Sequence, residues 1–203
     1  GLVIDMSSSH PRGTIALGEK LGKKSIRLID APVSGGQKKA TDGTLMIMAG
    51  GKKEDLDEIR TLLGCFGSLA HVGPLGAGHA MKALNNYVSA AGLLASMQAL
   101  ATAQSVGIHP ETFAKVINGS TGRNNTTEVK LEPFIISRTY TSGFSLQLMS
   151  KDVGIASELI KNAGFGAPTT GALNSYLINA VEELGEDIDH TGLYEMVNPE
   201  KIS

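Results

Sequence analysis

The 203-residue sequence predicts an α/β segment built on a largely parallel sheet, followed by an all-α segment, with one long helix joining the two. Residues 1–75 alternate short apolar runs with helical patterns, the signature of βαβ units. From Gly76 onward the strand-like runs disappear and helical periodicity takes over. The 25 glycines exceed the usual share of about 7% and cluster at the ends of apolar runs, as tight turns and close backbone approaches require. The expected organisation is therefore 1–75 for the sheet-containing part and 76–203 for the helical part.

The spacing predicts the elements in order. Leu2–Met6 reads as a strand, and Pro11–Lys24 as a helix capped by Ser9 or His10 with Pro11 in its first turn. Ile26–Ile29 is the second strand, and Thr44–Ala49, ending on Gly50-Gly51, the third. Lys52–Cys65 is a helix and Leu69–Val72 a short strand. Gly76–Gly107 is one long helical pattern, with Met81, Leu84, Val88, Ala91 and Leu94 at helical spacing. Further helices are expected over Pro110–Asn118, around Leu146–Ala163, over Pro168–Leu184 and near Thr191–Val197. No internal repeat or low-complexity linker interrupts them.

Composition removes several classes of function. Eighteen basic residues against 20 acidic ones give a net charge of −2, which argues against nucleic acid or an anionic membrane as partner. The single cysteine, Cys65, excludes an intrachain disulfide and a thiolate zinc cluster. The most apolar stretch, Ala90 to Ala103, is roughly 14 residues long and contains Ser96, Gln98 and Thr102. A bilayer span needs about 20 apolar residues, so the stretch reads as a buried helix. Gly1 is followed at once by Leu2-Val3-Ile4, without a basic or Arg/Ser-rich leader. The chain is expected to be a piece of something longer.

Three constellations could carry chemistry. Asp30-Ala-Pro-Val-Ser34-Gly35-Gly36 follows a strand directly, and its consecutive glycines and hydroxyl could cradle a carboxylate or phosphate. The same residues would also serve as an ordinary turn. Lys82, Asn85, Asn86 and Ser89 fall at i, i+3, i+4 and i+7 and share one helix face. A lysine buried there would have its pKa drawn down toward neutrality and could exchange protons, whereas a solvated polar stripe would not. Lys151-Asp152 lies in a helical pattern, where adjacent residues do not face each other, so two exposed charges are the plainer reading. His10, His71, His79, His109 and His190 show no metal-ligand spacing and suit surface or capping roles. Arg123, in a polar loop, could reach an anion or simply be solvated. No complete G-x-G-x-x-G follows any strand.

The order of these motifs resembles the 3-hydroxyisobutyrate dehydrogenase family of β-hydroxyacid dehydrogenases. The resemblance runs from Ile4-Asp5-Met6-Ser7-Ser8 through Asp30-Ala-Pro-Val-Ser-Gly-Gly36, Gly43-Thr-Leu with Gly50-Gly51, and Gly76-x-Gly78-x-x-x-Lys82-x-x-Asn85-Asn86. It continues to Lys151-Asp152 and the late Asp189-His190. It implies the C-terminal portion of a Rossmann domain followed by an all-helical domain, and NAD or NADP as cofactor. It further implies oxidation of a short β-hydroxyacid or reduction of its semialdehyde. Carried over by position, Lys82 is the catalytic acid/base and Asn86 its partner, with Asn85 beside it. Ser34, Gly35 and Gly36 would hold the substrate carboxylate, while Ser8 and Lys151 would line the cofactor site. Family members are commonly dimers or tetramers, so a homo-oligomer is expected. Because the G-x-G-x-x-G unit is missing, the chain is expected to be the carboxyl two-thirds of a family member and to bind NAD weakly by itself. Two readings stay open: part of an active dehydrogenase, or a short non-catalytic binding or dimerisation module. Cytoplasmic and mitochondrial locations both remain open.

Overall fold

The computed structural model describes residues 1–199. They form two compact units, Gly1–Asn85 and the chain from Asn86 onward, and one helix runs from the first into the second.

The first unit consists of β1 (Leu2–Asp5), α1 (Pro11–Gly22), β2 (Arg27–Asp30), the two-residue β3 (Val33–Ser34), α2 (Gly36–Thr41), β4 (Leu45–Gly50), α3 (Lys53–Gly64) and β5 (Gly67–Gly73). The α/β architecture is as expected, with boundaries within two residues for most elements. The sheet is mixed: its two longer pairings are parallel and its two short ones antiparallel. β1 and β2 run parallel with Leu2 opposite Arg27, and β4 and β5 run parallel with Leu45 opposite Gly67. β4 is antiparallel to β3, with Val33 opposite Ile47, and meets the end of β2 antiparallel at Asp30 and Gly50. The reason lies in the connection. A parallel return needs a crossover of a dozen or more residues. Only the six residues of α2 form helix between β3 and β4, a rise of roughly 9 Å, so the chain doubles back beside β3. The 12 residues of α3 rise roughly 18 Å and return β5 parallel to β4.

Ile29, Ile47, Ala49, Leu56 and Leu63 form the core between this sheet and its helices. Into the same unit packs the start of α4 (Ala77–Ser105). The carboxylate of Asp30, fully buried at the end of β2, accepts hydrogen bonds from Gly76 N and His79 N, each at 2.8 Å. A strand residue thereby caps a helix from outside it, satisfying amides that have no partner in their own helix. The approach is close enough to demand glycine: a Cβ at Gly78 would lie 2.4 Å from Met48 O and 2.7 Å from Asp30 O.

The second unit is helical, as expected. The later turns of α4 are followed by α5 (Pro110–Asn118), α6 (Asn125–Val129), a π-helical turn (Leu131–Ile136), α7 (Leu146–Asn162), α8 (Pro168–Leu184), a 3-10 turn (His190–Leu193) and α9 (Tyr194–Val197). Leu93, Met97 and Leu100 of α4 pack with Leu131, Ile135, Leu146, Met149, Val153, Leu177 and Leu193. α6 and the π-helical turn are absent from the sequence reading. α6 is too short to show periodicity and is held by its start, where Asn124 and Thr127 bond reciprocally. Pro133 has no N–H for the ladder, and Ile135 N bonds back to Lys130 O at 3.2 Å, widening the turn.

Two of the five histidines depart from the surface or capping role expected of them: His79 and His190 are each 1% exposed. His190 Nδ1 donates to Phe144 O at 2.8 Å, and its Nε2 is buried without a partner. Beside it, the Asp189 carboxylate accepts from Gly143 N, Ser142 Oγ and Thr191 N at 2.7 to 2.9 Å. Burial pushes Asp189 up, but the hydrogen bonds from Thr191 and Ser142 outweigh it and leave the carboxyl below its ordinary range.

Asp30→Ala, which strands two buried amides, should lower unfolding free energy in urea by about 3 kcal/mol, and Gly78→Ala should destabilise comparably through steric conflict with the sheet backbone. Burial, with the charge of Lys130, pushes His190 down from 6.5 to about 4. The unfolded chain therefore takes up this proton below pH 6.5 while the native one resists until about pH 4. Stability should fall across that window by up to about 3 kcal/mol. In denaturation series at stepped pH, His190→Asn should lose this part of the slope.

Candidate active site

In the first unit the candidate residues gather at the carboxyl ends of β1 and β2 and at the start of α4. The loop after β1 carries Ser8, which is half-buried. The loop is pinned at both ends: Asp5 Oδ1 accepts from Ser7 N at 3.0 Å, and His10 Nδ1 accepts from Arg12 N at 3.2 Å, capping α1. Thr14 Oγ1 donates to His10 O at 3.3 Å and lies 2.7 Å from His79 Nδ1. His79 therefore links the first turn of α4 to the start of α1, and its Nε2 is 3.9 Å from Asp5 Oδ2.

Ser34 ends β3 and is half-buried, and the two glycines that follow are exposed. Gly35 has φ 140° and Gly36 φ 68°, both in the region that favours glycine, so the backbone turns sharply out of the sheet into α2. One turn beyond His79, Lys82 is half-buried on α4. Asn85 is half-buried as well, and Asn86 is 7% exposed. Lys82, Asn85, Asn86 and Ser89 share one face by helical spacing.

In the second unit Asn86 Nδ2 donates to Asp152 Oδ2 at 2.6 Å. Asp152 is 1% exposed and lies with Met149, Val153 and Ala156 on the buried stripe of α7. Lys151 Nζ is 3.5 Å from Asp152 Oδ1, with 40% of its side chain exposed. The plainer reading of two exposed charges is thus corrected for Asp152. Neighbouring side chains diverge on a helix, but the long lysine stem curls back over a buried carboxylate that needs a counter-charge. Arg123 forms an exposed surface pair, its Nε 3.4 Å from Glu128 Oε1.

Asp30, His79 and Asp152 are the buried polar residues that hold these positions. Asp30 stands in the quoted Asp30–Gly36 stretch and Asp152 in the Lys151-Asp152 pair. Neither carries a local signal of burial, because their partners lie 46 to 66 residues away. No group of three or more His, Cys, Asp or Glu among the described residues could hold a metal ion. No helix among them is long and apolar enough to cross a membrane.

The residues present suit a dinucleotide. The carboxyl ends of parallel strands are where doubly wound folds receive nucleotides, and there the Asp5 carboxylate accepts from Ser7 N and the Asp30 carboxylate from Gly76 N and His79 N. A glycine-rich phosphate loop is not among the 203 residues.

Comparison with known proteins gives a consistent result. A family model described as the NAD-binding domain of 6-phosphogluconate dehydrogenase matches residues 1–76. A second, described as NAD-binding of NADP-dependent 3-hydroxyisobutyrate dehydrogenase, matches residues 76–197. The 2-(hydroxymethyl)glutarate dehydrogenase of Eubacterium barkeri is 37% identical over 170 residues, 83% of this chain and 56% of that protein. The mitochondrial 3-hydroxyisobutyrate dehydrogenase of Drosophila melanogaster is 32% identical over 210 residues, 100% of this chain and 64% of its own length. The solved 3-hydroxyisobutyrate dehydrogenase of Mycobacterium tuberculosis with L-serine superposes with a TM-score of 0.86 at 28% identity, covering 97% of this chain and 69% of that one. The chain thus spans a little over half to just under two-thirds of the length of the two sequence relatives. With a matching family model over most of its residues and relatives above 30% identity across nearly all of it, the chain belongs to the 3-hydroxyisobutyrate dehydrogenase family of β-hydroxyacid dehydrogenases.

Proposed function

We propose that this chain is the substrate-binding and catalytic part of an NAD(P)-dependent oxidoreductase that interconverts a short β-hydroxyacid and its semialdehyde, with Lys82 as general acid/base. Residues 1–75 are on this reading a partial Rossmann domain and 76–203 the helical dehydrogenase domain. The observation that carries it is Asn86, buried and held by a buried carboxylate on the face of α4 that also bears Lys82. A helix surface does not spend a buried Asp–Asn pair on a solvated stripe, because an unpaired buried carboxylate is costly.

The chemistry of the relatives narrows the substrate. 2-(Hydroxymethyl)glutarate, 3-hydroxyisobutyrate and serine each carry a hydroxymethyl group and a carboxylate on one carbon and differ in its third substituent. The turn Ser34-Gly35-Gly36 would take the shared carboxylate through backbone N–H groups and the serine hydroxyl. Lys82 would accept the hydroxyl proton as the carbonyl forms and return it in the reverse direction. Asn86 gives its Nδ2 to Asp152, so Oδ1 is the end of the amide that accepts from the lysine one turn earlier or from the substrate hydroxyl. Asn85 lies beside them. Bound NAD or NADP supplies the hydride acceptor and donor. Ser8 and Lys151 would contact it, the lysine as a cation already steadied by Asp152.

A homo-oligomer belongs to the same reading. α4 leaves Met81, Leu84 and Val88 exposed at helical spacing, Val88 by 67%, and apolar stripes of this kind are commonly covered by another subunit. Sedimentation of the full-length protein should show a dimer or tetramer, and a monomer at high concentration would count against it.

The mechanism is tested by steady-state kinetics on the full-length protein with a panel of 2-(hydroxymethyl) acids and both dinucleotides. Lys82→Ala should lower kcat by about 10²–10⁴-fold with little change in dinucleotide affinity. Lys82→Arg should be nearly as inactive, since guanidinium stays protonated and cannot cycle a proton. Asn86→Ala should cost less. Near-normal turnover by Lys82→Arg would mean that the lysine acts only as a fixed charge.

A further inference from the structure

We propose that His79 and Asp5 form a proton-binding pair that ties dinucleotide affinity to pH, the proton lodging between His79 Nε2 and Asp5 Oδ2 and drawing the loop after β1 toward α4. The inference rests on the reading of Ser8, in that loop, as a cofactor contact and adds what controls it.

His79 is 1% exposed, and its Nε2 is buried without a hydrogen-bond partner. A buried polar atom left unpaired is costly, and its retention points to a use. The contacts of the other ring nitrogen assign the tautomer. Nδ1 lies 2.7 Å from Thr14 Oγ1, whose own hydrogen goes to His10 O at 3.3 Å, and 3.9 Å from Asp30 Oδ2. A hydroxyl that has already placed its hydrogen accepts, so Nδ1 carries the proton and Nε2 a bare lone pair. Across from Nε2, at 3.9 Å, stands Asp5 Oδ2. Two acceptors confront each other with no hydrogen between them.

One proton resolves the conflict. On Nε2 it makes the contact a charge-assisted hydrogen bond, whose usual length of about 2.8 Å closes the gap by roughly an ångström. The histidine is the stationary partner, since its own amide is held by Asp30. Asp5 does not move alone: its Oδ1 holds Ser7 N at 3.0 Å, so the residue before Ser8 follows. The charged groups facing the ring are Asp5 from β1 and Asp30 from β2, while α1 presents the neutral Thr14 hydroxyl. His10 ahead of α1 and Lys82 one turn on in α4 are the other titratable residues around it. Both carboxylates oppose an anionic dinucleotide, and the proton offsets one of them. Affinity therefore rises as pH falls through the range in which histidine titrates. By linkage, binding the dinucleotide draws the proton in.

The test uses the full-length protein and the reduced dinucleotide that it prefers, NADH or NADPH, with affinity followed by fluorescence at about pH 6 and about pH 8. Binding should be roughly fivefold tighter at the lower pH. Calorimetry at neutral pH in buffers of different ionisation enthalpy should show net proton uptake on binding. His79→Gln can donate from its amide to Asp5 at any pH, so it should still bind but lose most of the pH dependence and the uptake. Asp5→Asn keeps an acceptor for Ser7 N and should lose them as well. His71→Gln, at an exposed histidine of the same unit, should retain both. A histidine that only packs would give neither signal. Equal affinity at the two pH values, or a dependence that survives either substitution undiminished, would overturn this inference alone. No binding of either dinucleotide would overturn the proposed function and this inference with it.

Discussion

The first unit depends on one buried carboxylate. Asp30 ends β2 and accepts from Gly76 N and His79 N, fastening the long helix to the sheet at its first turn. Burying a carboxylate without donors would be prohibitive, and leaving the first amides of a buried helix unsatisfied would be nearly as costly. Each group solves the other's problem, and the geometry that results is narrow. Gly50 and Gly78 show how narrow: a Cβ on Gly50 would sit 2.5 Å from Asp30 Oδ1, and one on Gly78 2.8 Å from Oδ2. Lys82 stands just beyond this anchored turn, so its place relative to β2 is set by hydrogen bonds and not by packing alone. Such bonds are directional, and on the proposed reading they would help to hold Lys82 in place.

A second buried carboxylate does comparable work in the helical unit. Asp152 lies on the apolar stripe of α7 and is met by the amide of Asn86. The pairing fixes which end of that amide is nitrogen, and so what Asn86 offers on its other side. Asp152 also draws Lys151 back over itself. Together with Asp30, it shows a shared pattern in which acids buried beneath the surface orient the polar groups presented above them.

The family relation and the geometry answer different questions. Two of the relatives are, by name, dehydrogenases of 2-(hydroxymethyl)glutarate and 3-hydroxyisobutyrate, acids that share a carbon bearing a hydroxymethyl group and a carboxylate. On the proposed reading, discrimination among such acids would fall to side chains around Ser34-Gly35-Gly36, where the following helix carries Lys38 and Lys39 and is capped by Asp42. Binding modes of this sort vary by substitution at exposed positions, which leaves the fold intact while the preferred acid changes.

By itself the sequence determined the fold class, the switch from α/β to helix near residue 75, the family, and helices such as Pro110–Asn118 and Pro168–Leu184 to the residue. These are written in local patterns: periodicity, a proline at the first helical position, glycine after the last. It also singled out Ser34–Gly36, Lys82, Asn85, Asn86 and Lys151, by spacing and by resemblance. Tertiary structure alone decided the mixed sheet, since strand direction depends on whether a crossover such as α2 is long enough to return the chain. It alone decided that Asp30, His79, Asp152 and His190 are buried. Each is a polar residue whose burial is tolerable only because a partner distant in sequence meets it, as Gly76 meets Asp30 and Asn86 meets Asp152. Such partnerships leave no periodic trace, because the two halves of each pair obey the local rules of different elements and come together only when the chain folds.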